Sequence, residues 1–379
     1  MMKITLQREA LLKALHIISG VIEKKQTRPI LANTLLTISN DCLSLTATDS
    51  EIELIGSAPV EEVSQAGAVT APARKLYDIC RALPESSLVT LLQEGERLTL
   101  QANKSRFTLS TLPAQDFPSI EEKSFNAQLS ISQAELRNLL YKTSFAMGQQ
   151  DVRHYLNGAV FDIRPNLIEC MATDGHRFAL SKLEEQGIGE KTKILLPRKS
   201  VLELMRLLNA DDKTPLTLCI NEHYLRVITA EFTFTSKLIH AALPDYHKLI
   251  PQKGIHAVIA DRETLRQALV RVSILSHEKF RSIKWELKEN QLIMTANNPE
   301  REEAEEVIPV EYQGRPVEVS FNVGYLLDAI SAIDTEQVRW SFSNLDDGVL
   351  IEPLAEKSSS LYVVMPLLVP QTEQVAMNS

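Results

Sequence analysis

The chain has 379 residues, 44% hydrophobic and 23% charged, the make-up of a soluble globular protein of two to three domains. Its four cysteines, Cys42, Cys80, Cys170 and Cys219, are scattered, which argues against a disulfide framework or a zinc site and points to reduced thiols. A net charge of −9 discourages a nucleic-acid role unless basic residues are gathered locally. The segment from Met1 to Glu9 lacks the apolar stretch of a signal peptide, and Pro366 breaks the most apolar run, 362–369. A cytoplasmic protein with no membrane association is expected.

In chain order, the first amphipathic helix is expected over 8–20, where Leu11, Leu12, Leu15 and Ile18 recur at spacings of three and four. Alternating segments at 35–39, 42–47 and 51–55 then read as strands, with Asn40-Asp41 in a turn. A second helix starts after Pro72 and runs over 73–82, followed by strands at 88–93, 96–102 and 105–112. The cycle begins again after a polar linker, 121–126. A helix over 132–146 carries Leu136, Leu139 and Leu140 behind the caps Ser132 and Glu135. Strands follow at 158–164, 167–173 and 176–182, then a helix over 197–209 and strands at 216–221, 223–230 and 232–240. Beyond 251–254 a third cycle has a helix over 261–275, with Leu265, Ala268, Leu269 and Val272 on one face. Strands at 282–288, 291–296 and 303–310, a helix over 322–334 and strands at 336–343, 348–353 and 359–365 complete it.

Residue markers confirm the rhythm. Leu45-Thr46-Ala47-Thr48-Asp49 is answered by Cys170-Met171-Ala172-Thr173-Asp174 and by Ile293-Met294-Thr295-Ala296-Asn297, at steps of about 125 residues. Arg74-Lys75 returns as Arg198-Lys199; the third copy, from Asn322, has no basic pair. A period of that length is a whole domain rather than a solenoid unit. The fold class is α+β: three tandem copies of one domain, each with two helices packed on antiparallel sheet. Expected boundaries are 1–126, 127–251 and 252–369, with a C-terminal tail at 370–379.

Charge is unevenly divided. The six helical segments together carry +5, which leaves −14 for the rest of a chain whose net charge is −9. No glycine-rich phosphate loop, nucleophile elbow or His-Glu-x-x-His motif occurs, and the histidines stand at no metal-ligand spacing. Neither a metal nor a cofactor is expected. One cluster, Thr173-Asp174-Gly175-His176-Arg177, admits a catalytic reading in which Asp174 orients His176 as a base. The repeat favours a strand–turn–strand corner, because the equivalent Asp49 has no histidine beside it. A sequence-reading regulator is disfavoured too, since the helices lack a cluster of base-reading side chains. Aromatic residues make up only 6%, which suits sequence-blind backbone contact better than base stacking.

Several stretches together resemble the bacterial sliding clamp family, the beta subunit of DNA polymerase III: 150–158, the 172–177 corner, 234–238, the acidic run 297–306 and the closing 362–366. The resemblance covers residues 2–369. It implies a non-enzymatic processivity factor in chromosome replication, a head-to-tail homodimer in which each chain is half of a closed six-domain ring around double-stranded DNA. The resemblance implies DNA contacts at Lys25, Arg74, Lys75, Gln150, Tyr155, Arg198, Lys199 and Arg206. It implies a groove for partner peptides from Leu156, Thr173, Gly175, His176, Arg177, Phe178, Pro244, Leu249, Asn322, Tyr325, Val363, Val364, Met365 and Pro366. Implied partners are the polymerase III catalytic subunit, the clamp loader and other proteins bearing a clamp-binding motif. A subunit interface would set Arg97 and Phe107 of the first copy against Ile274, Leu275, Glu302, Glu303 and Glu306 of the third. Leu368 stands where the family pattern leads one to expect a basic residue.

Overall fold

The computed structural model describes residues 2–22, 28–120, 124–184, 191–251, 254, 256–343 and 348–367. The first copy begins β1 (Met2–Gln7), α1 (Arg8–Ile18), β2 (Asn33–Ser39), β3 (Cys42–Thr48), β4 (Ile52–Pro59) and β5 (Glu62–Gln65). It ends β6 (Ala68–Pro72), α2 (Ala73–Ala82), β7 (Leu88–Glu94), β8 (Arg97–Ala102) and β9 (Ser105–Ser110). The second runs β10 (Ala127–Ser132), α3 (Gln133–Ser144), β11 (Gly158–Arg164), β12 (Leu167–Thr173) and β13 (Arg177–Glu184). It continues β14 (Thr192–Pro197), α4 (Arg198–Leu207), β15 (Pro215–Ile220), β16 (Tyr224–Ile228) and β17 (Phe232–Lys237). The third runs β18 (His256–Asp261), α5 (Arg262–Ser273), β19 (Ser282–Lys288), β20 (Gln291–Asn297) and β21 (Glu303–Pro309). It closes β22 (Val317–Asn322), α6 (Val323–Ser331), β23 (Gln337–Phe342), β24 (Val349–Pro353) and β25 (Ser360–Val364).

All six helices among the described residues lie within the segments that periodicity marks. Leu11, Ala14, Leu15 and Ile18 of α1 are buried, as are Leu265, Ala268, Leu269 and Val272 of α5. Caps fix where several begin. Ser132 and Glu135 bond reciprocally ahead of α3, Asp261 accepts from the Thr264 N–H, and Asn322 accepts from the Gly324 and Tyr325 N–H groups. Spacing alone missed the strands that lead directly into helices: β1, β6, β10, β14, β18 and β22, together with β5. In β1, for example, Met2, Ile4 and Leu6 alternate inward, but the period of two runs without a break into the helical period.

The chain forms two compact units. The first holds the described residues of 1–137 and 199–239. Its sheets are β5-β1-β7-β8-β9 and the eight-stranded β10-β15-β16-β17-β4-β3-β2-β6. The second holds those of 138–187, 191–198 and 240–367, with an eight-stranded β14-β11-β12-β13-β25-β24-β23-β18 and a four-stranded β21-β20-β19-β22.

The antiparallel strands of each copy are therefore shared between two sheets, and each eight-stranded sheet joins two copies. In the first unit β17 lies antiparallel to β4, from Phe232 opposite Gly56 to Ser236 opposite Ile52. In the second, β25 lies antiparallel to β13, from Val364 opposite Arg177 to Ser360 opposite Ser181. Backbone groups at each copy's margin are satisfied by the next copy, which removes an exposed edge. Side chains reinforce the join: Phe234, fully buried on β17, stands opposite Leu54. Phe234→Ala is expected to destabilise the protein by about 3–5 kcal/mol, the usual cost of emptying a buried aromatic site. A change in the urea midpoint equivalent to less than about 1 kcal/mol would show that the join does not depend on this packing.

Candidate nucleic-acid interface and partner groove

The cluster that admitted a catalytic reading is a turn. Asp174 Oδ1 accepts the N–H groups of His176 and Arg177 at 2.9 and 3.0 Å, while its Oδ2 accepts from Arg177 Nε at 3.0 Å. Thr173 Oγ1 donates to the Arg177 carbonyl and accepts from the Gly175 N–H. The first copy builds the same corner. Asp49 Oδ1 accepts from Glu51 and Ile52 at 2.8 and 2.7 Å, and Thr48 Oγ1 bridges Ile52 and Ser50. Asp174 thus spends its oxygens on backbone and guanidinium, not on the imidazole. Glycine suits the tip: Gly175 has φ +91°, and a Cβ there would come within 3.1 Å of the Arg153 guanidinium.

Around this corner the second unit assembles the expected groove residues. The β13–β25 pairing places Arg177 and Phe178 opposite Val364 and Val363, and the Met365 N–H donates to the His176 carbonyl at 2.9 Å. Phe178, Val363, Val364, Leu156 and Thr173 are buried beneath the surface; Met365 and Pro366 are half-buried. Arg177 lies 4.4 Å from the Tyr325 ring centre and 5.4 Å from that of Phe145, with ion pairs to Asp174 and Asp328. Charge and stacking fix it in one pose. His176 stacks on Tyr325, and burial raises the Tyr325 phenol above its ordinary range. Asn322, the α6 cap, also donates to the Phe280 carbonyl. Leu249, 43% exposed, ends a short 3-10 turn, Tyr246–Leu249, and Pro244 precedes the cap of that turn, Asp245.

The sequence reading overlooked Arg153, which overhangs Gly175. It makes a forked contact with Asp151 at 2.9 and 3.0 Å, and hydrogen bonds from Arg153 hold that carboxyl down at about 2. The Asp-x-Arg spacing in 151–153 was the available signal. Gln150, at φ +55°, and the half-buried Tyr155 belong to the same loop.

The expected DNA-contacting cations divide into two groups. Arg74 and Lys75 are exposed on α2, with one Arg74 N–H donated to the Ile22 carbonyl. Arg198 is half-buried and donates to the Met147 carbonyl, and Lys199 Nζ sits 2.6 Å from Asp49 Oδ2. Arg206 is committed most deeply. It clasps Glu203 at 2.6 Å and donates to the carbonyls of Ile17 and His16 at the end of α1. Those carbonyls lie at the negative end of the helix dipole, where a guanidinium is a natural cap, and the His16 carbonyl also accepts the Ser19 N–H and hydroxyl. Gly20 makes room, since a Cβ there would overlap the Glu203 carboxylate. Lys25 lies outside the described residues, as does Leu368.

The expected interface residues sit at sheet margins. In the first unit β9 is an edge strand, with Phe107 37% exposed and Arg106 exposed; Arg97 is exposed on the neighbouring β8. In the second, β21 is an edge strand with Glu303 exposed at its start and Glu302 just ahead of it. Glu306 is paired with Arg271 at 2.6 Å; Ile274, which caps α5, is 74% exposed, and Leu275 is half-buried.

Tandem α+β domains joined through shared sheets define the clamp class of protein. Three family models match in succession: the N-terminal domain of the DNA polymerase III beta subunit at residues 2–121, its central domain at 130–245 and its C-terminal domain at 247–368. The chain belongs to the DNA polymerase III beta subunit family. It is 46% identical to the beta sliding clamp of Pseudomonas aeruginosa over 367 residues, and 42% identical to that of Escherichia coli K12 over 366. Each alignment covers 97% of this chain and 100% of the relative. Among solved structures, the P. aeruginosa sliding clamp bound to griselimycin superposes with a TM-score of 0.93 at 46% identity. The Bartonella birtlesii clamp bound to the same compound gives 0.93 at 33% identity. Both cover 97% of this chain and 100% of the other.

Arg206→Ala is expected to lower unfolding stability by about 1–3 kcal/mol, because Glu203 and the α1 carbonyls lose their donor. An unchanged denaturation midpoint would instead show a guanidinium available for phosphate.

Proposed function

We infer that the protein is a DNA sliding clamp: two chains close head to tail into a six-domain ring around duplex DNA and tether the replicative polymerase and other clamp-binding proteins to it. We take the domains to end at 126, 251 and 369. One observation carries the ring. Inside the chain the last strand of one copy covers the fourth strand of the copy before it, as β17 covers β4 and β25 covers β13. The strands left over by this rule are β9 and β21, and both are sheet edges. A second chain supplies what each lacks, and a heterologous contact of this kind closes into a ring when its rotation permits. Charge supports the match, with Arg97, Lys104 and Arg106 around β9 and Glu302, Glu303, Glu305 and Glu306 around β21.

Enclosure accounts for the sparse basic groups. Phosphate contacts weaken steeply with salt, and strong ones would resist sliding. A closed ring stays on DNA by topology, so a few exposed cations such as Arg74 and Lys75 suffice, and an acidic exterior discourages stray DNA. Gln150, Tyr155, Arg198, Lys199 and Lys25 complete the proposed DNA-facing set, with Arg206 serving chiefly to cap α1. The groove around Arg177, Tyr325 and Leu249 takes the peptide motif of the polymerase III catalytic subunit, the clamp loader and other partners. Its support is the pairing of buried apolar floor with exposed apolar and aromatic rim, the usual make-up of a peptide-binding cleft. We place the protein in the cytoplasm: the four cysteines are free thiols, and no helix among the described residues is long and apolar enough to cross a membrane.

Loaded on a nicked circular duplex, the protein is expected to remain bound in high salt and to escape once the circle is linearised; equal loss from both forms would exclude topological linkage. Ile274→Asp is expected to shift sedimentation equilibrium at micromolar concentration from dimer to monomer. Retention of the dimer mass would place the subunit contact elsewhere.

A further inference from the structure

The turn Tyr246–Leu249 carries the Leu249 side of the groove and follows Pro244 and the cap Asp245. Two consecutive side chains moor it within the second unit. Tyr246 is buried against Phe178, and its hydroxyl donates to the Tyr155 carbonyl at 2.9 Å. His247 lies between two carboxylates: Nε2 is 3.0 Å from Glu169 Oε2, and Nδ1 is 3.6 Å from Asp245 Oδ1. Asp245 is also the cap of the turn, accepting from the His247 N–H. Glu169 is buried on β12 and shares Arg164 with Asp162, at 2.8 and 3.1 Å. From the segment opening β14, Lys191 and Lys193 act on Asp162, and Lys193 lies over the Tyr246 ring. Lys248 beside His247 is exposed.

A neutral imidazole has one N–H and one lone pair, so between two carboxylates one contact must be repulsive. The imidazolium donates to Glu169 and attracts the Asp245 carboxylate 3.6 Å away, without a hydrogen bond to it. We propose that His247 is a positioning residue for the partner groove: as an imidazolium it holds the wall bearing Pro244 and Leu249 against β12, and loss of its proton loosens that wall. The inference rests on the reading of the groove as the partner site. Carboxylates, lysines and arginine keep their ordinary charges across neutral pH, while imidazoles change charge between about pH 5 and 8. Tighter binding below that range and weaker binding above it follows. His176, on the far side of the groove, is present in every His247 variant, so whatever it contributes is a background shared by all of them.

The probe is griselimycin, which clamp relatives bind, titrated calorimetrically into the intact protein at pH 6 and pH 8. Wild-type affinity is expected to fall by about two- to fivefold more over this interval than that of His247→Gln, the range for a half-exposed charged contact. His247→Arg, which stays charged, is expected to hold at pH 8 the affinity the wild type shows at pH 6, beyond the shared background. Identical pH slopes for wild type and His247→Gln overturn the inference and leave the groove reading intact. If Leu249→Asp leaves griselimycin affinity unaltered, the groove reading itself fails and this inference falls with it.

Discussion

Unpaired strand edges are the constraint on which this molecule depends. A sheet margin exposes a row of N–H and C=O groups that water or another strand must satisfy, and a small antiparallel domain repeated in tandem multiplies such margins. The protein disposes of four by laying β17 on β4 and β25 on β13. Each join makes one eight-stranded sheet from halves of two copies. The Thr-Asp corner prepares the join, because its hydrogen bonds to the N–H groups two and three residues on set where β4 and β13 begin. The proposed groove draws on the same geometry: Arg177 is both the first paired residue of β13 and the cation that Tyr325 stacks on.

Equivalent joins have been put to different uses by small changes. At the first, the spare Asp49 oxygen is taken by Lys199, and the Ser200 hydroxyl is buried against Ser236. At the second, the spare Asp174 oxygen is taken by Arg177 from the same corner, leaving Tyr325 and His176 stacked and reachable. An ion pair and a serine contact mark one join, and an aromatic pair marks the other. That difference fits a single partner groove per chain without any change of fold.

Much of this was legible from residue order. Helical spacing locates α1, α3 and α5, the starts at Pro72, Pro197 and Asn322 locate α2, α4 and α6, and the corner reads as a turn because its repeat at Asp49 lacks a histidine. Strands such as β1 and β10 were missed because they end on a helix start with no turn residue between. Arg153 was missed because a guanidinium above Gly175 is reached only after the 151–157 loop folds on Asp151 and Asn157. Arg206 enters the expected DNA-contacting set through the family resemblance; its contacts with Glu203, Ile17 and His16 appear only once α4 packs beside α1, because a basic residue on a helix shows its charge but not its partners.

The sequence by itself determined the six helices, most of the strands, their threefold recurrence and the gathering of positive charge on the helices. Those properties are local: hydrophobic period, capping residues and formal charge are all read within a few turns of chain. Only the tertiary structure decided that Phe232 to Ser236 would lie beside residues 52–56, and Val364 beside Arg177. It also decided which cations are spent inside the fold and which reach solvent. Strand pairing joins positions more than a hundred residues apart, and no spacing within either strand records its neighbour, because backbone hydrogen bonds are the same for every side chain that fits.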